Sequence, residues 1–99
     1  MTINLNDWLV ETTPAKYQLR ELLECKDGFT MSVQASHFHY CTPRGDDPPY
    51  RRVEIGYPSA KDDALMEYAE TPADPTGTVY GYVPIEIVEQ VIAAHGGIK

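Results

Sequence analysis

The sequence predicts an α+β domain, with a small antiparallel sheet of three to four strands and a C-terminal helix packed on one face. Residues 29–36 alternate between apolar and polar side chains, and residues 50–57 and 78–83 are also strand-like. Residues 84–95 carry apolar side chains at helical spacing. A chain of 99 residues is long enough for one compact core, so a single domain over residues 1–99 is expected.

The N-terminal quarter is predicted to hold a short helix and the first strand. In residues 4–11, NLNDWLVE, apolar side chains recur at i, i+3 and i+4, and Asn4 or Asn6 supplies the N-cap. Residues 15–25 are ambiguous, because Tyr17 and the leucines after it favour a helix whereas Asp27-Gly28 signals a hairpin. We expect a helical or irregular start, followed by a short strand over 22–25.

The stretch SHFHYC, residues 36–41, raises the question of a metal site. If the strand over 29–36 continued in register, its apolar face would carry His37, His39 and Cys41, and the aromatic side chains would point the other way. A β-bulge or a bend near Ser36–His37 explains this change of parity. The bulge predicts that Phe38 and Tyr40 are buried and that both histidines are exposed.

The C-terminal half alternates loops with regular elements. Proline-rich loops are predicted over 42–50 and 70–77, and a short helix over 62–69, capped by Ser59 or Asp62. In the strand over 50–57, the core-facing side chains are predicted to be Val53, Ile55 and Tyr57. Gly81 marks a bulge or a close backbone approach in the next strand. The last helix places Pro84 at N1 and ends at Gly96-Gly97.

The reactive side chains of the sequence give only weak evidence that the protein is an enzyme. Cys25, His37, His39 and Cys41 form a Cys₂His₂ set that suits zinc, but their spacing is not that of a common zinc motif. A cysteine nucleophile has no recognisable local motif, and no phosphate-binding glycine loop is present. We therefore predict no catalytic residue, no metal and no cofactor. A metal- or thiol-dependent enzyme centred on residues 36–41 is the alternative.

Charge and hydropathy narrow the partner classes. The net charge of −7 disfavours direct binding to nucleic acid or to an anionic membrane. It permits binding to a basic protein partner, although solubility by itself accounts for such a charge. The sequence has no apolar run of about 20 residues, the length of a membrane span. The start of the chain, MTINLNDWLVE, lacks the basic and apolar regions of a signal peptide. These features predict a cytoplasmic location and two free thiols.

Two sets of residues are predicted to contact a protein partner. Asp46, Asp47, Asp62 and Asp63 flank the strand over 50–57, which separates the two pairs by about 25 Å at ~3.3 Å per residue. Charges spread over such a distance suit an elongated basic groove. The second set combines aromatic and arginine side chains, which are typical of interfaces. Its members are Tyr40, Arg44, Tyr50 and Arg52.

Two stretches, DGFTMSVQASHFHYCTPR (27–44) and GTVYGYVPIEIVEQVIAAHGGI (77–98), resemble small uncharacterised proteins encoded in phages and prophages of proteobacteria. The resemblance implies a bacterial host cell and an accessory phage gene. Such genes often encode small inhibitors of host or defence proteins, anti-CRISPR proteins among them. The predicted function is therefore a protein-binding module that inhibits or modulates a host or defence protein. The other alternative is a virion assembly protein or a homo-oligomer, with a homodimer left open.

Overall fold

A computed structural model describes residues 3–16 and 18–99 and confirms the α+β class. Four strands form one antiparallel sheet in the order β1-β2-β3-β4. The strands are β1 (Leu23–Glu24), β2 (Thr30–Gln34), β3 (Arg52–Gly56) and β4 (Val79–Pro84), and the helices are α1 (Leu5–Glu11) and α2 (Ile85–Ala94). A single 3-10 turn, Met66–Tyr68, replaces the predicted short helix. Tyr17 lies outside the described residues.

The core confirms the period-two and helical patterns. The odd residues from Phe29 to Ala35 are buried, and so are Val53 and Ile55 of β3. Helix α1 begins at its predicted cap, where the Asn4 side chain accepts from the backbone N–H of Asp7. The apolar sides of both helices contribute to the same core, with buried residues Leu5, Leu9, Ile85, Val88, Val91 and Ile92.

The predicted hairpin between β1 and β2 is confirmed. Gly28 has φ 95°, a conformation that glycine adopts at little cost, and Asp27 Oδ1 accepts from the Phe29 N–H at 2.9 Å. The Cys25 N–H donates to the Phe29 carbonyl at 2.8 Å, so the turn continues directly into the strand ladder. Strand β1 is shorter than predicted, since residues 18–22 are irregular.

A bulge in β4 confirms the role predicted for Gly81. Val53 pairs with Val83, but Ile55 pairs with Tyr80, so β4 has one residue more than β3 between these pairs. Tyr82, inside the bulge, has φ 53°. A Cβ on Gly81 would lie 3.4 Å from Cβ of Tyr40, so the glycine also permits a close approach of the loop before β3.

Two local predictions were wrong. Tyr57 lies just beyond β3 with φ 51° and is 58% exposed, although strand alternation placed it in the core. The strand ends at Gly56, and the left-handed residue after it turns its side chain away from the core. Pro84 occupies the N-cap rather than N1, because its ψ of 140° is extended and α2 begins at Ile85.

Both outer edges of the sheet have partners from the same chain. At the β1 edge, the Lys26 N–H donates to Gly97 and the Lys99 N–H donates to Glu24, both at 2.9 Å. At the β4 edge, the Glu70 N–H donates to Val79 at 2.9 Å. Pairing of two copies through either edge would therefore displace these bonds. None of the helices in the described ranges is long and apolar enough to cross a membrane.

Candidate functional site

The chain bends at Ser36 and forms a turn over 36–41, but the burial predicted for its aromatic residues was wrong. After Ala35 the chain leaves the sheet, with the His39 N–H donating to Ser36 at 3.3 Å and the Cys41 N–H donating to His39 at 2.9 Å. Phe38 and Tyr40 are each 42% exposed, whereas His39 is only 7% exposed. A turn ends the strand alternation, so the aromatic residues point outward and one histidine inward. His37 is exposed, as predicted.

Hydrogen bonding explains why His39, rather than an aromatic residue, is buried. Its Nδ1 lies 2.6 Å from Ser36 Oγ, so one ring nitrogen has a partner inside the turn. The ring also packs against Phe38, with centroids 4.5 Å apart. Burial lowers the pKa of His39 below its ordinary value, which favours a neutral ring. His39 is therefore a structural residue, buried within the turn and bonded to Ser36.

The four metal and thiol candidates do not assemble into a site. The backbone of Cys25 forms an antiparallel β-bridge with Ile98 at the β1 edge, while the Cys41 thiol lies 3.1 Å from the Ser36 carbonyl oxygen. Burial raises the pKa of Cys25 to about 11 and also raises the pKa of Cys41. In residues 3–16 and 18–99, no group of three or more His, Cys, Asp or Glu side chains is arranged to hold a metal ion.

A cleft of about 210 Å³ lies beside this turn, and one of the residues that line it was missed by sequence reasoning. Arg20, in the cleft wall, is 6% exposed. Its guanidinium donates to the carbonyls of Leu9 and Ala35, both at 3.0 Å, and to Thr12 Oγ1 at 3.1 Å. The arginine thus ties the end of α1 to the end of β2. No local pattern signals this role, because its acceptors lie on separate segments.

Two members of the predicted acidic set, Asp46 and Asp62, contact histidine side chains. Asp46 Oδ1 accepts from His37 N at 3.0 Å and lies 2.7 Å from its Nδ1. Asp62 is largely buried and contacts His95. Asp47 and Asp63 are exposed, and Asp63 lies 3.8 Å from the Lys61 ammonium. Asp46 is exposed as well, but its carboxylate is bonded to His37, so Asp47 and Asp63 are the members best placed to meet a partner.

The predicted aromatic and arginine set loses one member to the core. Tyr50 is 2% exposed, and its hydroxyl donates to the Gly45 carbonyl at 2.7 Å, so it stabilises the loop instead of offering a contact. Arg52 is exposed, with its backbone paired to Thr42. Tyr40 is exposed, and the guanidinium carbon of Arg44 lies 5.8 Å from its ring centroid, within cation–π range.

Tyr82, which sequence reasoning did not select, completes this surface. Its ring centroid is 5.9 Å from that of Tyr40, and the side chain is 45% exposed. We call Tyr40, Arg44 and Tyr82 the tyrosine cluster. The Tyr82 N–H donates to the Tyr40 carbonyl at 3.0 Å, and the Tyr40 N–H donates to Glu54 Oε1 at 3.1 Å. Hydrogen bonds on both sides of Tyr40 therefore fix the backbone beneath exposed rings.

Comparison of the chain with family models, with curated proteins and with solved structures returned no match.

Proposed function

We propose that this protein is a non-enzymatic protein-binding module whose central contact is the tyrosine cluster, and that its acidic surface directs it to a basic partner. The observation that carries the proposal is the pair of exposed tyrosines, Tyr40 and Tyr82, on a hydrogen-bonded backbone. Tyrosine and arginine are the residue types that dominate binding energy at interfaces. Because the backbone is already ordered, less conformational entropy is lost on binding.

The conformation of Tyr82 supports the same proposal. Its φ of 53° lies in the left-handed region, which costs a non-glycine residue roughly 1–2 kcal/mol. Glycine would avoid this cost at the bulge, and an exposed tyrosine ring returns little of it through burial. Strained residues of this kind cluster at functional sites. Tyr57 shares this conformation and exposure, so what distinguishes Tyr82 is its contact with the ring of Tyr40.

Charge supports a basic partner. The chain carries 15 acidic and 8 basic residues, and one of the basic residues, Arg20, is buried. Complementary charge chiefly raises association rates, and salt screens it over about 8–10 Å at physiological ionic strength. Asp47 and Asp63 are exposed and suited to this role. A host or defence protein with a basic nucleic-acid-binding surface is the partner class that we propose, and inhibition of that protein is the proposed outcome.

The proposal is tested by quantitative capture from a bacterial lysate with two matched variants. Tyr40→Ala/Tyr82→Ala removes the cluster, whereas Tyr57→Ala removes another exposed tyrosine that is also left-handed. We expect at least one protein to be retained by the wild type and by Tyr57→Ala, and lost by the double variant. Capture of the same proteins by all three forms would contradict the proposal.

Association rates with a captured partner separate the contribution of charge. Asp47→Asn/Asp63→Asn should slow association and reduce its salt dependence, because both carboxylates are exposed. The control, Asp7→Asn/Glu11→Gln, makes the same charge change on α1, where both side chains are also exposed. Equal rates and salt slopes for the two variants would show that the acidic residues flanking β3 have no special role in binding.

A further inference from the structure

The side chain of His95, just beyond α2, joins three segments that are distant in sequence. Its Nδ1 lies 2.6 Å from Asp27 Oδ2 in the β1–β2 turn, and its Nε2 lies 3.1 Å from Asp62 Oδ2 in the segment after β3. The ring stacks on Phe29, with centroids 4.0 Å apart and planes 8° apart. Both ring nitrogens are therefore directed at carboxylates while the stacking fixes the ring plane.

Only the imidazolium form satisfies both contacts as hydrogen bonds. An ionised carboxylate accepts and does not donate, and neutral imidazole has a single N–H. Burial by itself lowers the pKa of His95, but the hydrogen bonds and charges of Asp27 and Asp62 outweigh that effect and raise the pKa. The two contacts are therefore those of the protonated ring.

We propose that His95 is a pH-sensitive latch for residues 60–64, which the protonated ring holds through Asp62 and the neutral ring releases. When one proton is lost, the Asp27 contact is retained because it is the shorter one and because backbone bonds support it. These are the bonds from Asp27 N to His95 O at 3.3 Å and from Lys26 N to Gly97 O at 2.9 Å. The Nε2 lone pair then faces the Asp62 carboxylate, and the two repel.

The position of residues 60–64 depends on the Asp62–His95 contact, because the other attachments of this segment are at its two ends. Its ends are held by Ser59, which exchanges backbone and side-chain bonds with Thr30 at 2.8 and 3.0 Å, and by the fully buried Leu65. Between them, among the described residues, the Asp62–His95 contact is the hydrogen bond that joins 60–64 to the rest of the fold. The other bonds of Asp62, to Ala64 and Leu65, are local.

The other charged and titratable groups around the His95 ring do not change charge in the pH range in which His95 titrates. Lys26 of the turn packs near Gly96, Cys25 lies within electrostatic range of Asp27, and Tyr80 of β4 lies within range of Asp62. Burial raises the pKa of Cys25 to about 11 and raises the pKa of Tyr80 above its ordinary value. Both groups stay neutral while His95 loses its proton, so the carboxylates of Asp27 and Asp62 dominate its surroundings.

NMR of protein labelled with ¹³C at alanine methyl groups tests the latch without relying on amide exchange. Ala60 and Ala64 report on the segment, and the buried Ala35, directly after β2, is the internal control. We expect the Ala64 methyl shift to titrate with the midpoint of His95 Nε2, and its order parameter to fall above that pH, while Ala35 stays unchanged. A constant Ala64 signal through the His95 titration would overturn the proposal.

Two variants assign the effect to the proposed contact. His95→Gln should abolish the pH dependence of Ala64, since glutamine does not titrate. Asp62→Asn should keep the segment ordered above the midpoint, because the asparagine amide donates to a neutral Nε2, and it should lower the pKa of His95. Persistence of the wild-type Ala64 titration in His95→Gln, or loss of Ala64 order at high pH in Asp62→Asn, would contradict the latch.

Discussion

The turn at 36–41 and the corner around His95 place histidines in opposite settings. In the turn, two histidines and a cysteine lie within five residues of one another, yet His39 bonds to a hydroxyl and Cys41 to a carbonyl. At the corner, a lone histidine meets carboxylates that are 68 and 33 residues away in the chain. Density of reactive side chains in sequence is therefore a poor guide to their density in space.

The two regions also differ in how they respond to pH. Burial lowers the pKa of His39, so charging this ring destabilises the fold as the pH falls below about 6.5, the ordinary histidine value. The carboxylates raise the pKa of His95, so its stabilisation is complete below about 6.5 and is lost as the pH rises through the raised folded pKa. Four measurements test this contrast between the two regions.

The largest effect on stability is expected from truncating a core residue of α2 that lies three positions before His95. Ile92, in the last turn of α2, is fully buried, and its carbonyl accepts from the Gly97 N–H at 2.9 Å. Ile92→Ala should lower the free energy of unfolding by about 2–5 kcal/mol, because it leaves a cavity in the core. Urea denaturation measures the change, with exposed Gln90→Ala as the control. A loss below about 0.5 kcal/mol would place this face of α2 outside the core, since that is the range of surface substitutions.

A smaller effect, which depends on pH, is expected from His95 itself. His95→Gln should cost about 1–2 kcal/mol more at pH 5.5 than at a pH above the raised pKa, as for a partly buried cation at a helix C-terminus. At the lower pH the wild-type ring is charged and bonded to both carboxylates. Urea denaturation at the two pH values gives the difference. An equal loss at both would mean that the ring stabilises the corner by packing on Phe29 alone.

The contribution of His39 to the pH dependence of the free energy of unfolding should be opposite in sign to that of His95, and smaller. An NMR titration should give it a midpoint below that of an unfolded histidine, while His95 titrates above that value. The loss of stability on acidification below about pH 6.5 should be reduced in His39→Gln, because the buried ring no longer has to be charged. If His39 instead titrates above the unfolded value, its ring has an anionic partner and the description of the turn is wrong.

No effect is expected from metal removal. Protein purified without a polyhistidine tag should contain no stoichiometric zinc by elemental analysis, and a chelator should not shift its melting temperature. His39→Gln/Cys41→Ser supplies the matched comparison. One zinc per chain in the wild type, lost in this variant, would make the turn a metal centre and reverse the contrast between the two regions.

Local sequence patterns predicted most of the regular elements and their buried faces. Alternation in residues 29–35 and helical spacing in residues 85–92 predict core positions because the pleat and the helix direct side chains by local geometry alone. The Asp27-Gly28 turn follows from the backbone freedom of one glycine, and Gly81 marked the position of the β4 bulge. The fold class and most core residues were therefore predicted correctly.

In the non-regular segments, the burial or exposure of a side chain depends on tertiary contacts that local patterns do not encode. Once the chain leaves a strand, side-chain direction depends on the turn that follows and on acceptors from elsewhere. Exposed Tyr57, buried Tyr50 and the inward-facing His39 were mispredicted for this reason. Arg20 and His95 each bind groups from separate segments, and no local pattern encodes such meetings. The tyrosine cluster likewise exists because a β4 bulge meets the loop before β3.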